Sequence, residues 1–187
     1  KLTLEVFGRP MAPHEIVKKI CNDIRKKGDE SLLYYIKKLD GAELTREQIV
    51  LGVSDFKRAK ESISQEFLDA IHRTIESIKM FQKRIRLPES TYVEQEGILT
   101  GVRYIPVSSV GIYVPGGTAP LVSSLYMNAV PAQIAGVENI IVATPPSSST
   151  GQVNPYILAL CDVLNIKNLY VMGGAHAVAA MAYGTEI

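Results

Sequence analysis

An excess of either charge is what this sequence most conspicuously lacks. Lys and Arg total 20 against 19 for Asp and Glu, a net charge of +1 over 187 residues. That balance gives no basic footprint of the kind a phosphate-backbone binder needs, so nucleic acid is not expected as a partner. Cysteine is scarce too. Cys21 and Cys161 are the two present, both inside apolar helical patterns, which fits buried inert thiols in a reducing compartment better than a disulfide framework. No apolar run reaches the roughly 18 residues of a membrane span. The stretch Lys1 to Pro13 also lacks the uninterrupted apolar core of a signal peptide. The expectation is a cytoplasmic protein with no membrane partner. What is present in quantity is apolar: 47% of residues are hydrophobic, enough for one sizeable core and possibly an appendage.

The first half reads as helical. Ile16, Ile20 and Ile24 recur every four residues beside Val17 and Cys21, and Gly28 supplies a C-terminal stop. Asp29 is placed to cap a second helix with the face Leu32, Leu33, Ile36 and Leu39, ending at Gly41. Thr45 with Gln48 makes a capping-box signature, and Ser54 opens a further turn. From Ser64, the stripe Leu68, Ile71, Ile75, Ile78 and Ile85 predicts a helix of about 22 residues that ends before Pro88. The segment from Tyr92 to Tyr104, with β-favouring residues on both sides of Glu96-Gly97, reads as a hairpin.

From Val110 the period changes. Val110 to Val114 is a strand, Leu121 to Ala135 a helix closed by Gly136, and Ile140 to Thr144 a strand. After the Pro/Ser-rich loop Pro145 to Gly151 come a helix from Val153 to Leu164, a strand from Leu169 to Met172, and a helix opened by Gly173-Gly174. The chain thus divides into a helical region (1–88), a β-hairpin (89–106) and an α/β unit (107–187) of Rossmann-like β-α-β-α-β-α order. It stops at Ile187 directly after the apolar stretch Ala175 to Tyr183, with no polar tail, which reads as a unit truncated on its C-terminal side. Such alternation implies a parallel sheet with right-handed crossovers, so the loops PGGTAP, TPPSSS and GGAHA emerge at one sheet edge. Ligands of open α/β sheets lie at that edge, which favours a nucleotide or other phosphate-bearing ligand.

The dinucleotide fingerprint G-x-G-x-x-G is absent: Gly116-Gly117 and Gly173-Gly174 are adjacent pairs without the third glycine, and Thr144, Pro145 and Pro146 stand where a ribose-binding acid would. His176, in the first turn of the last helix, is either a ligand contact or an ordinary polar first-turn residue. No Asp, Glu or Cys accompanies it at metal-ligand spacing. Tyr113 ends the first strand of the unit and either faces a ligand or packs at the core rim. His14 and His72 read as solvated or packed. Ser123 and Ser124 have no nucleophile elbow or triad around them. The basic clusters Lys18-Lys19, Arg25-Lys26-Lys27 and Lys83-Arg84 alternate with acids and read as solvated faces.

The segments VGIYVPGGTAPLVSSLYMNAVPAQIAGVENIIVATPP (110–146) and GGAHAVAAMAYGTE (173–186), with DIRKKGDESLLYYIKKLDG (23–41) and IESIKMFQKR upstream, resemble the N-terminal part of the histidinol dehydrogenase family. The resemblance implies a homodimeric, zinc-dependent enzyme that oxidises L-histidinol through L-histidinaldehyde to L-histidine with two NAD, in histidine biosynthesis. It also implies Rossmann-like domains that bind NAD without the glycine fingerprint. On this resemblance Tyr113 falls on the family's NAD-contacting tyrosine and His176 on its NAD-contacting glutamine, a departure, since a neutral imidazole offers one donor and one acceptor where an amide offers more. The family's Glu-His pair and zinc ligands come later than Ile187, so no residue here takes a catalytic or metal-binding role and this part alone is expected to be inactive. Two alternatives stay open: a related NAD(P)-dependent oxidoreductase acting on an aldehyde or acyl phosphate, and a stand-alone nucleotide-binding or oligomerisation module.

Overall fold

The computed structural model describes residues 2–88, 90–116, 121–147 and 150–187. The helices are α1 (Leu2–Phe7), α2 (Pro13–Lys27), α3 (Asp29–Tyr35), α4 (Arg46–Ile49), α5 (Val53–Glu61), α6 (Gln65–Ile85), α7 (Val122–Ala135), α8 (Pro155–Val163) and α9 (Gly174–Tyr183). The strands are β1 (Val50–Gly52), β2 (Ser90–Gln95), β3 (Ile98–Arg103), β4 (Ser109–Tyr113), β5 (Asn139–Thr144) and β6 (Asn168–Val171). The main sheet has the order β1-β6-β5-β4. Its last three strands are parallel, as the alternation of strands and helices predicts.

Successive strand residues point to opposite faces, and both faces are covered. Val142 and Val171 join one core with Ile112, Val114, Phe56, Ile71, Leu125 and Leu160, built from α5, α6, α7 and α8. Their chain neighbours Ala143 and Met172 join the other with Ile20, Ile24, Leu32, Tyr35, Ala177 and Ala180, from α2, α3 and α9. The result is a helix–sheet–helix sandwich, the arrangement expected where a parallel sheet is buried on both sides.

Local signals account for most elements. Pro13 opens α2 and Gly28, at φ 53°, ends it. Ser64 Oγ accepts from Phe67 N–H at 3.4 Å at the start of α6, which runs 21 residues. Thr45 N–H donates to Gln48 Oε1 at 2.9 Å. The hairpin turns through Glu96 and Gly97, both at positive φ (52° and 80°), the combination that a tight two-residue connection between right-twisting strands demands.

Three expectations need correcting, and two elements were not anticipated. Asp29 does not cap α3: Gly28 is the cap residue and no side chain bonds there. Instead Asp29 is buried and its Oδ1 accepts from Glu186 N–H at 3.1 Å and Ile187 N–H at 3.4 Å, holding the segment after α9. The second helix does not stay α-helical to Gly41 but finishes as a π-helical turn, Ile36–Asp40. Val50–Gly52, not anticipated as a strand, pairs antiparallel with β6, Val50 opposite Tyr170. The α6 stripe is buried at Leu68, Ile71 and Ile75 but not to its end, since Ile85 is 54% exposed. The helix α1 was likewise not anticipated. Cys161 is buried, Cys21 is half-buried, and both are free.

Candidate functional site at the carboxyl edge of the sheet

β4, β5 and β6 all end at the same edge, and three short connections leave them there. Gly117 to Pro120 of the first loop and Ser148-Ser149 of the second lie outside the described residues. The rest of the three loops meet around one ring. A Cβ built on Gly116 would run into Pro145 Cγ, and one built on Gly173 would lie 2.7 Å from Pro145 Cβ. At both positions, then, glycine is required by the neighbouring loop. Close backbone approach here serves the packing of Pro145, a use that spacing alone leaves indistinguishable from ligand approach.

The first turn of α9 is capped from outside its own sequence. Gly173 is the cap residue and has no side chain to satisfy the free N–H groups of a helix start. Tyr113, the last residue of β4, supplies one acceptor: its hydroxyl oxygen takes the Gly174 N–H at 3.0 Å. Asp40, the last residue of the π-helical turn, supplies another, its Oδ2 accepting from Gly173 N–H at 2.8 Å. Tyr113 is half-buried, with its hydroxyl at the loop.

His176 points inward. It is wholly buried, its ring stacks on Tyr35 with centroids 6.1 Å apart, and its Nε2 lies 2.9 Å from the same Asp40 Oδ2. A carboxylate has no proton to give, so the contact needs the hydrogen on Nε2; in the neutral ring Nδ1 is then left as an acceptor. Nδ1 has no hydrogen-bond partner among the described residues, and it lies 3.6 Å from where a Gly174 Cβ would stand. An orphaned buried acceptor directly under a glycine at a helix start is an unusual feature in a packed interior.

Behind the ring the polar contacts continue. Tyr35 donates its hydroxyl hydrogen to Asp23 Oδ2 at 2.6 Å. Burial pushes the Tyr35 hydroxyl well above the ordinary tyrosine range, and the hydrogen bond to Asp23 adds to it. For Asp23 burial acts upwards, but the hydrogen bonds from Tyr35 and Lys19 and the Lys19 charge outweigh it and hold the carboxyl below its usual value.

The two residues singled out from sequence, Tyr113 and His176, are thus both brought to Gly174. His14 and His72 are on exposed positions of α2 and α6, and Ser123 and Ser124 lie in the first turn of α7. Sequence reasoning missed Asp40 and Pro145. One signal for Asp40 existed: an acid at the C-terminal end of a helix, just before the left-handed Gly41 at φ 73°, is opposed by the helix dipole and so asks for a partner elsewhere. Among the described residues no group of three or more His, Cys, Asp and Glu converges closely enough to hold a metal ion.

A parallel sheet covered on both faces, with three loops gathered at its carboxyl edge, defines a Rossmann-like α/β protein. Residues 10–187 match the family model of histidinol dehydrogenase. The chain is 43% identical over 186 residues to the histidinol dehydrogenase of Rhodopirellula baltica, covering 100% of this chain and 40% of that protein. It is 41% identical over 172 residues to that of Thermotoga maritima, covering 92% and 40%. The crystal structure of histidinol dehydrogenase from Elizabethkingia anophelis matches with a TM-score of 0.86 at 35% identity, over 95% of this chain and 40% of that one. This chain belongs to the histidinol dehydrogenase family. It spans about 40% of the length of the curated relatives it matches.

Proposed function

We propose that the chain is the N-terminal, cofactor-facing part of a histidinol dehydrogenase, an oxidoreductase that converts L-histidinol through L-histidinaldehyde to L-histidine. The observation that carries this reading is the family match along residues 10–187. NAD is the hydride acceptor of such a reaction. Tyr113 and His176 are the residues assigned to it here: the tyrosine hydroxyl stands at Gly174 N–H, and the unpartnered Nδ1 of His176 lies beneath the same glycine. What these residues do is bind and orient. Tyr113 sets the height of the loop over the sheet edge, and His176 offers a fixed acceptor in a dry setting, where one well-aimed hydrogen bond counts for more than in water.

The proposed activity is that of the whole enzyme, a zinc-dependent homodimer, and this chain spans about 40% of the length of the curated relatives it matches. The cytoplasm is the compartment that suits a biosynthetic enzyme with two free cysteines. The division into a helical region (1–88), a hairpin (89–106) and an α/β unit (107–187) is retained as a proposal about how the part is organised. The test is steady-state kinetics of the full-length protein with zinc supplied. Histidinol-dependent reduction of NAD, followed by NADH absorbance, is the expected result; no reduction with histidinol would overturn the reading.

A further inference from the structure

We propose that Asp40 is a positioning residue for the cofactor edge, holding the Gly173-Gly174 loop and the His176 ring in place through a single carboxylate oxygen. The inference rests on the cofactor reading above. Three observations support it. Asp40 Oδ2 accepts from both Gly173 N–H, at 2.8 Å, and His176 Nε2, at 2.9 Å. The Asp40 side chain is only 8% exposed and that of His176 1%, so both bonds are shielded and directional. The room around the pair is committed, because a Cβ on Gly173 would stand 2.7 Å from Asp40 Oδ1.

The consequence for the site is specific. Taking the Nε2 hydrogen fixes the tautomer of the ring and leaves Nδ1 as the acceptor under Gly174, while taking the Gly173 N–H fixes the height of the turn above it. A loop ordered before the ligand arrives pays no ordering cost on binding, so Asp40 acts on cofactor affinity and not on the chemical step. The pairing of the turn's amides has a second effect. With Gly173 N–H given to Asp40 and Gly174 N–H to Tyr113, the first two amides of this edge are already paired. A phosphate group of the ligand is therefore not seated on them as it is on a free helix N-terminus.

The experiment uses the full-length protein and compares Asp40→Ala with Asp40→Asn. An asparagine can place its amide oxygen where Oδ2 stands and keep both acceptances, whereas alanine keeps neither. Asp40→Ala is expected to raise the KM for NAD by about tenfold or more, with kcat at saturating NAD within about threefold of the parent. Asp40→Asn is expected to stay within about threefold in both. In the parent, nitrogen-15 NMR of His176 should show the hydrogen on Nε2. A folded Asp40→Ala protein with unchanged KM for NAD, or a hydrogen on Nδ1 in the parent, would overturn the proposal. Should Asp40→Ala fail to fold, Asp40→Asn and the tautomer decide: a tenfold rise in KM for Asn with the ring tautomer unchanged also overturns it. Absence of NAD binding by the parent protein is a separate result, which overturns the cofactor reading itself.

Discussion

Asp40 and His176 stand 136 positions apart in the chain and meet at 2.9 Å, Oδ2 to Nε2, so the last residue of an N-terminal helical turn anchors the first turn of the last helix. The contact ties the layer of α2 and α3 to the loop that follows β6. It also makes the chemistry of His176 depend on a residue outside the α/β unit. An imidazole here does two jobs, donating to Asp40 and offering Nδ1 towards Gly174.

His176→Gln tests how much of that arrangement depends on a ring. A glutamine amide can donate to Asp40 Oδ2 and turn its oxygen towards the loop, but it loses the stacking on Tyr35 and has more rotamers to freeze. In the full-length protein the variant is expected to bind NAD with an affinity within about fivefold of the parent, by calorimetric titration. A change beyond about a hundredfold in either direction would show that position 176 acts by more than its hydrogen bonds.

Pro145 is the shared wall of two glycines. Gly116→Ala and Gly173→Ala should each destabilise the fold by about 1–3 kcal/mol, because the added methyl meets a ring or a carboxylate that cannot retreat without moving a loop. The two sites differ in what relieves them. Pro145→Ala should rescue most of the Gly116→Ala penalty, whose clash is with Pro145 Cγ, and little of the Gly173→Ala penalty, since alanine keeps the Cβ that stands 2.7 Å from that second site and Asp40 Oδ1 stands 2.7 Å away as well. Thermal denaturation of the single and double variants measures this, and strictly additive penalties would refute the shared wall.

The Tyr35–Asp23 bond links stability to pH at both ends of the scale. The Tyr35 hydroxyl is pushed up on folding, so its contribution is complete below the unfolded value of about 10 and is lost as pH climbs towards the folded value. The Asp23 carboxyl is held down, so its contribution is present above the unfolded value and is lost as pH falls through the folded one. Tyr35→Phe should cost about 1 kcal/mol at neutral pH and flatten the alkaline decline above about pH 10. Urea unfolding across the pH range reads both effects, and an alkaline slope equal to that of the parent would contradict this account.

The two thiols should separate cleanly under alkylation. Cys161 is fully buried between α8 and the sheet, and burial raises its pKa far above the ordinary thiol range, so little thiolate forms. Cys21, half-buried on α2, should be modified first. Mass spectrometry of the native protein after iodoacetamide treatment is expected to show one label, and two after denaturation. Early labelling at Cys161 would mean that the core around α8 opens readily.

What was legible in the sequence was the short-range physics. The 3.6-residue stripes of α2 and α6, the Glu96-Gly97 turn and the strand–helix alternation after Val110 each involve residues close in the chain, and each element lies where those patterns place it. Tyr113 and His176 could be singled out because both lie at strand-to-helix joints, the one class of loop whose position is fixed by topology. Asp40 could not be found that way: its partners are 133 and 136 residues distant, and no period in the chain connects them. Val50-Leu51-Gly52 escaped for another reason. Three residues are too few to show alternation, and they become a strand because β6 offers them an edge. Asp29 had the right residue type for a cap, but the tertiary fold drew its side chain to the amides of Glu186 and Ile187 instead.

That three-residue edge strand also sets an order of events. Val50 finds its partner only when Tyr170 has been made, and Tyr35 and Ile24 complete their core only with Ala177 and Ala180. During synthesis, which proceeds from the N-terminus, the first helices therefore wait with their apolar faces open until nearly the whole of this stretch has left the ribosome. Folding of the sheet is accordingly a late, long-loop event, and the early chain is the form that a chaperone would meet.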